Sequence, residues 1–324
     1  MEMAVGEGGC LTHLARWAML KRILHKEVPV RIAITAPTGN IGRELTKRLL
    51  DQKGHELILL ARTPDKLTKE QARGAKVVQA DLGDAASVKK ATQGADALFF
   101  LCPPSFTVPN YRAYYGQLAK IGADAVKANR IKHTVLLSSV GAHLAKGTGP
   151  ILGLYDAEKI FSNATHGLTI LRPAWFMENH LWHLDSIKKV NSIFMPLSGD
   201  VTLPMIATID IADRAARVIT GPAPSRPKVL SLHGPKDYSL DECAKIISRA
   251  IGKEVRHVQV PPAKAKEAMI AMGATAGVAD TMLEMYAGFQ ADRIMDEVER
   301  SPDTTTPTPF ETFVKNVLAP ALKG

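Results

Sequence analysis

The sequence has few cysteines and no long apolar run. Its three cysteines, Cys10, Cys102 and Cys243, stand far apart, and this spacing predicts neither a disulfide framework nor a cysteine metal site. No run of about 18 consecutive apolar residues occurs, so we expect no membrane-spanning helix and no stable membrane association. Together these scarcities predict a reduced, cytoplasmic protein.

The sequence also lacks a basic patch, although its net charge is +9. Its lysines and arginines are scattered, with no basic helix and no interleaved aromatic residues, so we expect no nucleic-acid partner. The positive charge instead favours phosphorylated or otherwise anionic small ligands. His180 and His183 lack the spacing of a metal-binding helix, and we predict no metal site.

Residues 1–29 form an N-terminal extension that does not share the pattern of the rest of the chain. Leu11–Lys26 mixes apolar residues with lysines and arginines, as a short amphipathic helix or a transit peptide does. Glu2, Glu7 and the scarcity of serine argue against a transit peptide. Three interpretations stay open: a targeting segment, an extra disordered or helical extension, and attachment to a membrane surface.

From Val30 onward, short apolar strands alternate with helical stretches. The predicted strands are residues 30–35, 56–61, 76–79, 96–101, 133–138 and 168–172, with helices between them at about 40–53, 64–72, 84–93, 109–129 and 153–165. Continuously apolar strands such as Leu57–Leu60 are typical of parallel strands that are buried on both faces. The regular repetition predicts an α/β protein with a Rossmann-type, doubly wound parallel sheet.

A glycine turn between the first strand and the first helix predicts a ligand site. Val30–Gly42 reads V-R-I-A-I-T-A-P-T-G-N-I-G, which is the strand, turn and helix start that hold a dinucleotide pyrophosphate. Gly39 lets the backbone approach the pyrophosphate, and Gly42 lets the helix lie close to the strand. Ala36 replaces the first glycine of the usual motif, which we expect to require a negative φ there. A strand–turn–helix without a ligand is the alternative.

The end of the second strand predicts which dinucleotide binds. An acidic residue there bonds the ribose of NAD, whereas an arginine accommodates the 2′-phosphate of NADP. Arg62 follows Ala61 with no acid at either position, so the sequence predicts NADPH in preference to NADH. A solvated surface arginine is the alternative. Asp81, after the third strand, is placed to meet the adenine edge, and Asp84 is an equally good cap for the next helix.

After Pro173 the alternation loosens. We predict a helix at 210–219 with Asp210 as its N-cap, and a helix at 239–251 that opens on a capping box of Ser239 and Glu242. Strands are predicted at 228–232 and 255–260, and two helical stretches rich in alanine and methionine follow. We therefore divide the chain into an NADP(H)-binding Rossmann domain at 30–175 and a smaller α/β substrate-binding lobe at 176–324, partly interleaved with it.

Several segments together resemble one known family. They are T-A-P-T-G-N-I-G, A-R-T-P-D-K, A-D-L-G-D, V-L-L-S-S-V-G-A, I-L-R-P-A-W-F-M-E-N, I-A-T-I-D-I-A-D-R-A-A-R-V-I and D-T-T-T-P-T-P-F-E-T-F-V. From Arg31 to about residue 320 the chain resembles the NmrA-like branch of the atypical short-chain dehydrogenases. The resemblance implies an NADPH-dependent reductase, similar to quinone reductases, that transfers hydride to a quinone, an enone or a similar planar small molecule. The alternative is a non-catalytic regulator that senses NADP(H) and binds a protein partner. A monomer and a homodimer are both open.

The resemblance also implies where the cofactor lies. The pyrophosphate contacts Thr38–Ile41 and the 2′-phosphate contacts Arg62; the nicotinamide side is lined after strands four and five, and the segment after Pro173 closes over the ring. The full predicted cofactor-binding set is Thr35, Thr38, Gly39, Asn40, Ile41, Gly42, Arg62, Asp81, Leu101, Cys102, Pro103, Ser138, Ser139, Lys159, Pro173, Trp175 and Phe176.

Tyr155 and Lys159 are the predicted catalytic residues. They stand four apart and so share a helix face. In short-chain dehydrogenases such a lysine holds the nicotinamide ribose and lowers the pKa of the tyrosine, which then supplies a proton to the reduced carbonyl. The alternative for Tyr155 is packing between domains.

Four further residues carry two interpretations each. Trp175, Phe176 and Trp182 form an aromatic floor for a planar substrate or belong to the core. Cys102 is a redox-reactive thiol or an inert small apolar residue.

Overall fold

The computed structural model describes residues 29–294 and 300–323. The predictions for the N-terminal extension at 1–29 therefore lie outside the described residues, apart from residue 29 itself.

The first half of the chain follows the predicted alternation. Its elements are β1 Val30–Thr35, α1 Asn40–Gln52, β2 His55–Ala61, a 3₁₀ turn Pro64–Leu67, α2 Thr68–Ala72, β3 Lys76–Gln79, α3 Ala85–Ala91, β4 Ala97–Phe100, α4 Tyr111–Asn129, β5 His133–Leu137, α5 Ile151–Ser162 and β6 Leu168–Pro173. The predicted helix at 64–72 is thus a 3₁₀ turn followed by a short α-helix. Pro64 occupies the first position of this turn, where its missing N–H costs no hydrogen bond.

The second half is built from shorter elements. They are β7 Trp175–Phe176, a 3₁₀ segment Met177–His183, α6 Leu184–Val190, β8 Ser192–Met195, β9 Thr202–Ile206, α7 Thr208–Ile219, β10 Lys228–Leu232, β11 Asp237–Ser239, α8 Leu240–Ile251, β12 Arg256–Gln259, α9 Pro262–Ala271, α10 Ala276–Gln290, α11 Phe310–Phe313, a π turn Val314–Leu318 and α12 Ala319–Lys323.

Seven strands form one parallel sheet in the order β10-β6-β5-β4-β1-β2-β3. This confirms the Rossmann-type doubly wound fold. Strand β10 lies in the range assigned to the smaller lobe, yet it pairs with β6 and extends the main sheet. The order of the strands reverses between β1 and β4, and ligands bind at the carboxyl ends of the strands beside such a reversal.

The strands are apolar on both faces because helices cover both. Ile32 and Ile34 of β1 point into one core with α1 and α7, whereas Ala33 points into the other with α4 and α5. Phe99 and Phe100 divide in the same way between the two faces. Successive residues of a strand alternate in direction, so a strand covered on both faces buries all of them.

Two helix starts in the second half test the predicted caps. The Ser239 side chain accepts from the Glu242 backbone and the Glu242 side chain bonds back, so the predicted capping box is confirmed. The prediction for Asp210 was wrong, because α7 begins two residues earlier, at Thr208. The Glu178 carboxylate accepts from the Thr208 N–H at 2.9 Å, and Asp210 instead binds Thr308 at 2.8 Å. The carboxylates of Glu178 and Asp210 are therefore both bonded to residues far away in the sequence.

A buried ion pair joins α5 to the sheet. Glu158 and Arg172 have side chains only 9% and 13% exposed, and they are 2.7 Å apart. The guanidinium donates to both carboxylate oxygens, and Ser138 Oγ donates to the same carboxylate. A charge removed from water in this way is stable only while its partner is present.

We therefore expect Glu158→Ala to lower the free energy of unfolding by about 3 kcal/mol, since it removes the buried carboxylate that both Arg172 and Ser138 bind. Urea denaturation measures the loss. Asp124→Ala is the matched control, because Asp124 forms an exposed pair with Lys120 on α4 and such a pair contributes less than about 0.5 kcal/mol. Equal and small losses in both variants would show that water solvates Arg172.

Candidate functional site

The turn between β1 and α1 keeps its predicted position but not its predicted conformation. Ala36 has a φ of +49°, so the expectation of a negative φ was wrong. The left-handed region costs an alanine about 1–2 kcal/mol. The chain accepts this cost because the Ala36 carbonyl must turn back to receive the Gly39 N–H, at 3.1 Å.

Gly42 allows α1 to lie against this turn. A Cβ on Gly42 would stand 2.2 Å from the Ala36 carbonyl oxygen, whereas a Cβ on Gly39 would stand 3.5 Å from it, an ordinary contact. Glycine is therefore required sterically at Gly42 and not at Gly39. Close packing of α1 against the turn is the role predicted for Gly42. The surface next to Gly39 stays free.

The start of α1 offers unused hydrogen-bond donors. Thr38, Gly39 and Asn40 are exposed, and no side chain caps the helix. Within the described ranges, no group accepts a hydrogen bond from the N–H of Asn40, Ile41 or Gly42. Free N–H groups at the positive end of a helix dipole are what an anionic pyrophosphate requires, so these residues fit a dinucleotide.

Thr35 does not contribute its side chain to this cradle. Its hydroxyl is fully buried, accepts from the Leu101 N–H at 2.8 Å and lies 3.2 Å from the Leu101 carbonyl. The Thr35 side chain thus ties β1 to the end of β4, and a contact of Thr35 with the cofactor stays a prediction. The hydroxyl fixes Leu101, another predicted site residue.

Arg62 follows β2 and Asp81 follows β3, the two strands at one end of the sheet order. Both are exposed; the Asp81 carboxylate accepts from the Gly83 N–H at 2.8 Å. Asp84 caps α3 through the N–H groups of Ala86 and Ser87, as the alternative for that residue predicted. Tyr114 of α4 is a neighbour that the sequence did not indicate: its hydroxyl donates to the Pro103 carbonyl at 3.2 Å, and burial raises its pKa, with smaller and opposite effects of the Arg62 and Asp81 charges.

The family resemblance predicts that the nicotinamide side is lined by the residues after β4 and β5. Leu101 and Pro103 are partly exposed there, while Cys102 is buried. Burial raises the pKa of the Cys102 thiol to about 12, so the thiol stays protonated and inert, as the second interpretation of this residue holds. Ser138 is buried and bonded to Glu158, which leaves Ser139 as the more accessible of the two serines.

Helix α10 lies across this edge of the sheet, a position that sequence reasoning missed. At its start, Thr275 donates from its N–H to the Phe106 carbonyl at 2.9 Å and from its hydroxyl to Val108, on the loop after β4. In its middle, Glu284 accepts from the Gly147 N–H at 3.1 Å, on the loop after β5. A Cβ on Gly149 would stand 2.1 Å from the Thr281 carbonyl, so the loop and the helix are in close contact.

The aromatic residues after β6 divide between core and surface. Trp175 is buried and packs edge-on against Phe289 of α10, with ring centroids 5.2 Å apart; Pro173, just before it, is also buried. Phe176 is partly buried against the same core. Trp182 is 64% exposed and meets Phe106 edge-on at 5.3 Å.

His180 and His183 are packing residues of the 3₁₀ segment. His180 is buried, and its Nδ1 lies 3.1 Å from the Met177 carbonyl. Burial lowers the pKa of each imidazole to about 4, so both are neutral at physiological pH.

Tyr155 and Lys159 are brought into contact with each other, whereas the hydroxyl of Ser138 bonds to Glu158. The Lys159 ammonium donates to the Tyr155 hydroxyl and lies 4.1 Å from the centre of its ring. Lys159 is exposed in an open groove between α4 and α5, together with Arg112 and Asp156. Glu158, and not Tyr155, is the α5 residue that contacts Ser138. The chemical roles of Tyr155 and Lys159 stay predictions.

The parallel sheet, the close glycine contact and the free helix donors define a dinucleotide-binding protein of the Rossmann class. Residues 37–222 match the family described as NAD(P)H-binding. The chain belongs to this family.

Relatives and solved structures agree with that assignment. The chain is 29% identical over 286 residues to the NAD(P)H azoreductase of Xenophilus azovorans, covering 88% of this chain and 96% of the relative. It is 28% identical to quinone oxidoreductase 2 of Escherichia coli, covering 82% and 90%. The structure of the E. coli NADPH-dependent quinone oxidoreductase with NADPH matches at a TM-score of 0.75 and 24% identity, covering 89% of this chain and 99% of that one.

The resemblance to NmrA-like atypical short-chain dehydrogenases is thereby confirmed, as is the prediction of an NAD(P)H-dependent oxidoreductase. In the part of the chain that the structure describes, none of the helices is both long and apolar enough to cross a bilayer.

The two glycines of the turn provide a matched test of the cradle. We expect Gly42→Ala to lower the melting temperature by several degrees and to weaken NADPH binding, because the methyl group overlaps the Ala36 carbonyl. Gly39→Ala has room at 3.5 Å, so we expect an unchanged melting temperature and weaker NADPH binding only. Calorimetric titration and thermal unfolding measure both. A stable Gly42→Ala protein with wild-type affinity would refute this account of the turn.

Proposed function

We propose that the protein is an NADPH-dependent reductase that transfers hydride to planar, conjugated acceptors such as quinones, enones and azo compounds. The observation that carries the acceptor class is the exposed Trp182, which lies edge-on to Phe106 of the loop that follows β4. Flat π-systems pack well on such rings. The names of the azoreductase and quinone oxidoreductase relatives support the same class.

NADPH, when bound, supplies a hydride to the acceptor. In this proposal the start of α1 holds the pyrophosphate through the N–H groups of Asn40–Gly42, and Arg62 holds the 2′-phosphate. Leu101 is held in place by Thr35 and Pro103 by Tyr114, so the wall on the nicotinamide side is rigid. Helix α10 contacts the loops after β4 and β5 and the buried Trp175, and in this proposal it shields the hydride transfer from water, which favours reduction of the acceptor over side reactions.

The test is oxidation of NADPH by the purified protein with a panel of quinones, enones and azo dyes. We expect turnover with at least one conjugated acceptor and little with a saturated ketone of similar size. Trp182→Ala should raise KM for the planar acceptors, because they lose the exposed ring, and leave NADPH affinity unchanged. Tight NADPH binding without turnover of any acceptor would contradict the proposal and support a regulator.

Cofactor preference depends on Arg62. Since an arginine–phosphate bond is charge-assisted, we expect Arg62→Ala to weaken NADPH binding by roughly 10-fold to 100-fold, which is about 1.5–3 kcal/mol. NADH binding should not change. Arg73→Ala is the control, because Arg73 is also exposed but is paired with Asp51 on α1. Equal losses for NADPH and NADH, measured by calorimetry, would remove Arg62 from this role.

A further inference from the structure

The six tyrosines of the chain differ in what their hydroxyls contact. Tyr111 and Tyr115 bond to each other, Tyr114 bonds to Pro103, Tyr155 to Lys159, and Tyr238 to Glu311 and the Phe310 N–H. Tyr286 is the exception. Its hydroxyl has no hydrogen-bond partner within residues 29–294 and 300–323, although its ring is partly buried in the main core.

Tyr286 also occupies a particular place. It lies on α10, the helix that crosses the carboxyl ends of the strands, and its ring contacts Trp175 with centroids 6.2 Å apart. The preceding residue, Met285, contacts the position of Gly149 on the loop after β5. Tyr286 therefore stands where the ends of β5 and β6 meet, at the proposed nicotinamide side.

The Tyr286 side chain is only partly buried and its hydroxyl is not fully buried, so the unpaired hydroxyl avoids the cost of a buried unpaired group and stays open to a bound acceptor. Here the ring is held by apolar contacts, and burial raises the pKa of Tyr286 to about 12. The hydroxyl is therefore protonated and donates a hydrogen bond, and it releases its proton only to a group that becomes strongly basic during the reaction, as a carbonyl oxygen or azo nitrogen does on receiving hydride. The Tyr155 hydroxyl, by contrast, already accepts a hydrogen bond from Lys159, whose ammonium lies in the exposed groove between α4 and α5.

We propose that Tyr286 is the catalytic residue that donates a hydrogen bond, and then a proton, to the acceptor during reduction. This rests on the proposed function. The acceptor gains the hydride, with its electron pair, at one atom of a C=O, C=C–C=O or N=N group. The Oη–H bond of Tyr286 breaks as the proton passes to the other end of that group, and a proton from water restores the hydroxyl.

Tyr286→Phe keeps the ring and removes only the hydroxyl. We expect an unchanged melting temperature and NADPH affinity, and a kcat for enone or azo reduction that falls by about 10²–10⁴, the effect of a positioned proton donor. Quinone reduction should fall less, because solvent readily protonates the product. Met282→Leu, an apolar exchange of similar volume on the same helix, is the control. It should leave the melting temperature, the NADPH affinity and the rates of reduction of all acceptors unchanged.

A binding measurement separates this proposal from the reaction itself. With NADP⁺ bound, which has no hydride to give, affinity for 1,4-naphthoquinone is measured by calorimetry. Tyr286→Phe should weaken this affinity by roughly 2-fold to 10-fold, as expected for one neutral hydrogen bond. This result does not require turnover, so it is informative even if the proposed function fails.

Three outcomes count against Tyr286, and a fourth counts against the proposed function. Wild-type kcat and quinone affinity in Tyr286→Phe would make Tyr286 a packing residue. If Tyr155→Phe lowers kcat and Tyr286→Phe does not, Tyr155 is the proton donor instead. A lower melting temperature or NADPH affinity in Tyr286→Phe, of the same size as its kinetic loss, would show a structural effect only. A wild-type protein that turns over no acceptor would refute the proposed function, and the quinone affinity would then decide on Tyr286 alone.

Discussion

The contact between Gly42 and the Ala36 carbonyl is the constraint on which the cofactor cradle depends. It brings the first turn of α1 onto the end of β1, and only a residue without a Cβ fits there. The turn that permits this approach places Ala36 in the left-handed region. Backbone strain of this kind persists where surrounding contacts impose it, and it is often found at functional sites. Here the strained residue, Ala36, and the free N–H groups at the start of α1 lie within the same seven residues, 36–42.

A second set of contacts holds the opposite end of the site. The buried Glu158 and Arg172 join α5 to β6, and Ser138 at the end of β5 bonds to the same carboxylate. Thr35 similarly joins β1 to Leu101 after β4. Polar groups inside the protein thus fix the loops after β4 and β5, while the apolar core holds the strands. Stability and site geometry are coupled, because a buried polar group requires its partner.

Helix α10 gives the edge of the sheet its cover. It contacts the loops after β4, β5 and β6 through Thr275, Glu284 and Phe289 in turn. The residues that line the carboxyl edge therefore come from both halves of the chain. Next to the loop after β4, the exposed Trp182 lies edge-on to the partly buried Phe106.

Much of this protein follows from local sequence alone. The alternation of apolar runs and helical stretches predicts the parallel sheet. It does so because hydrophobic periodicity, and the continuous apolar run of a strand buried on both faces, are visible within a single segment of sequence. The glycines of the β1–α1 turn and the capping box at Ser239 are equally local. Arg62 could be named as a candidate for the same reason, since its position depends only on the end of β2.

Other features were decided by tertiary structure. No local pattern indicates that β10 joins β6, that Asp210 binds Thr308 or that the Thr35 hydroxyl is occupied by Leu101. The sequence equally could not show that Glu158 rather than Tyr155 contacts Ser138, or that α10 brings Tyr286 to Trp175. Each of these contacts joins residues from separate elements. Their partners are chosen by the packing of whole helices and strands, which depends on the complete core and not on any one segment.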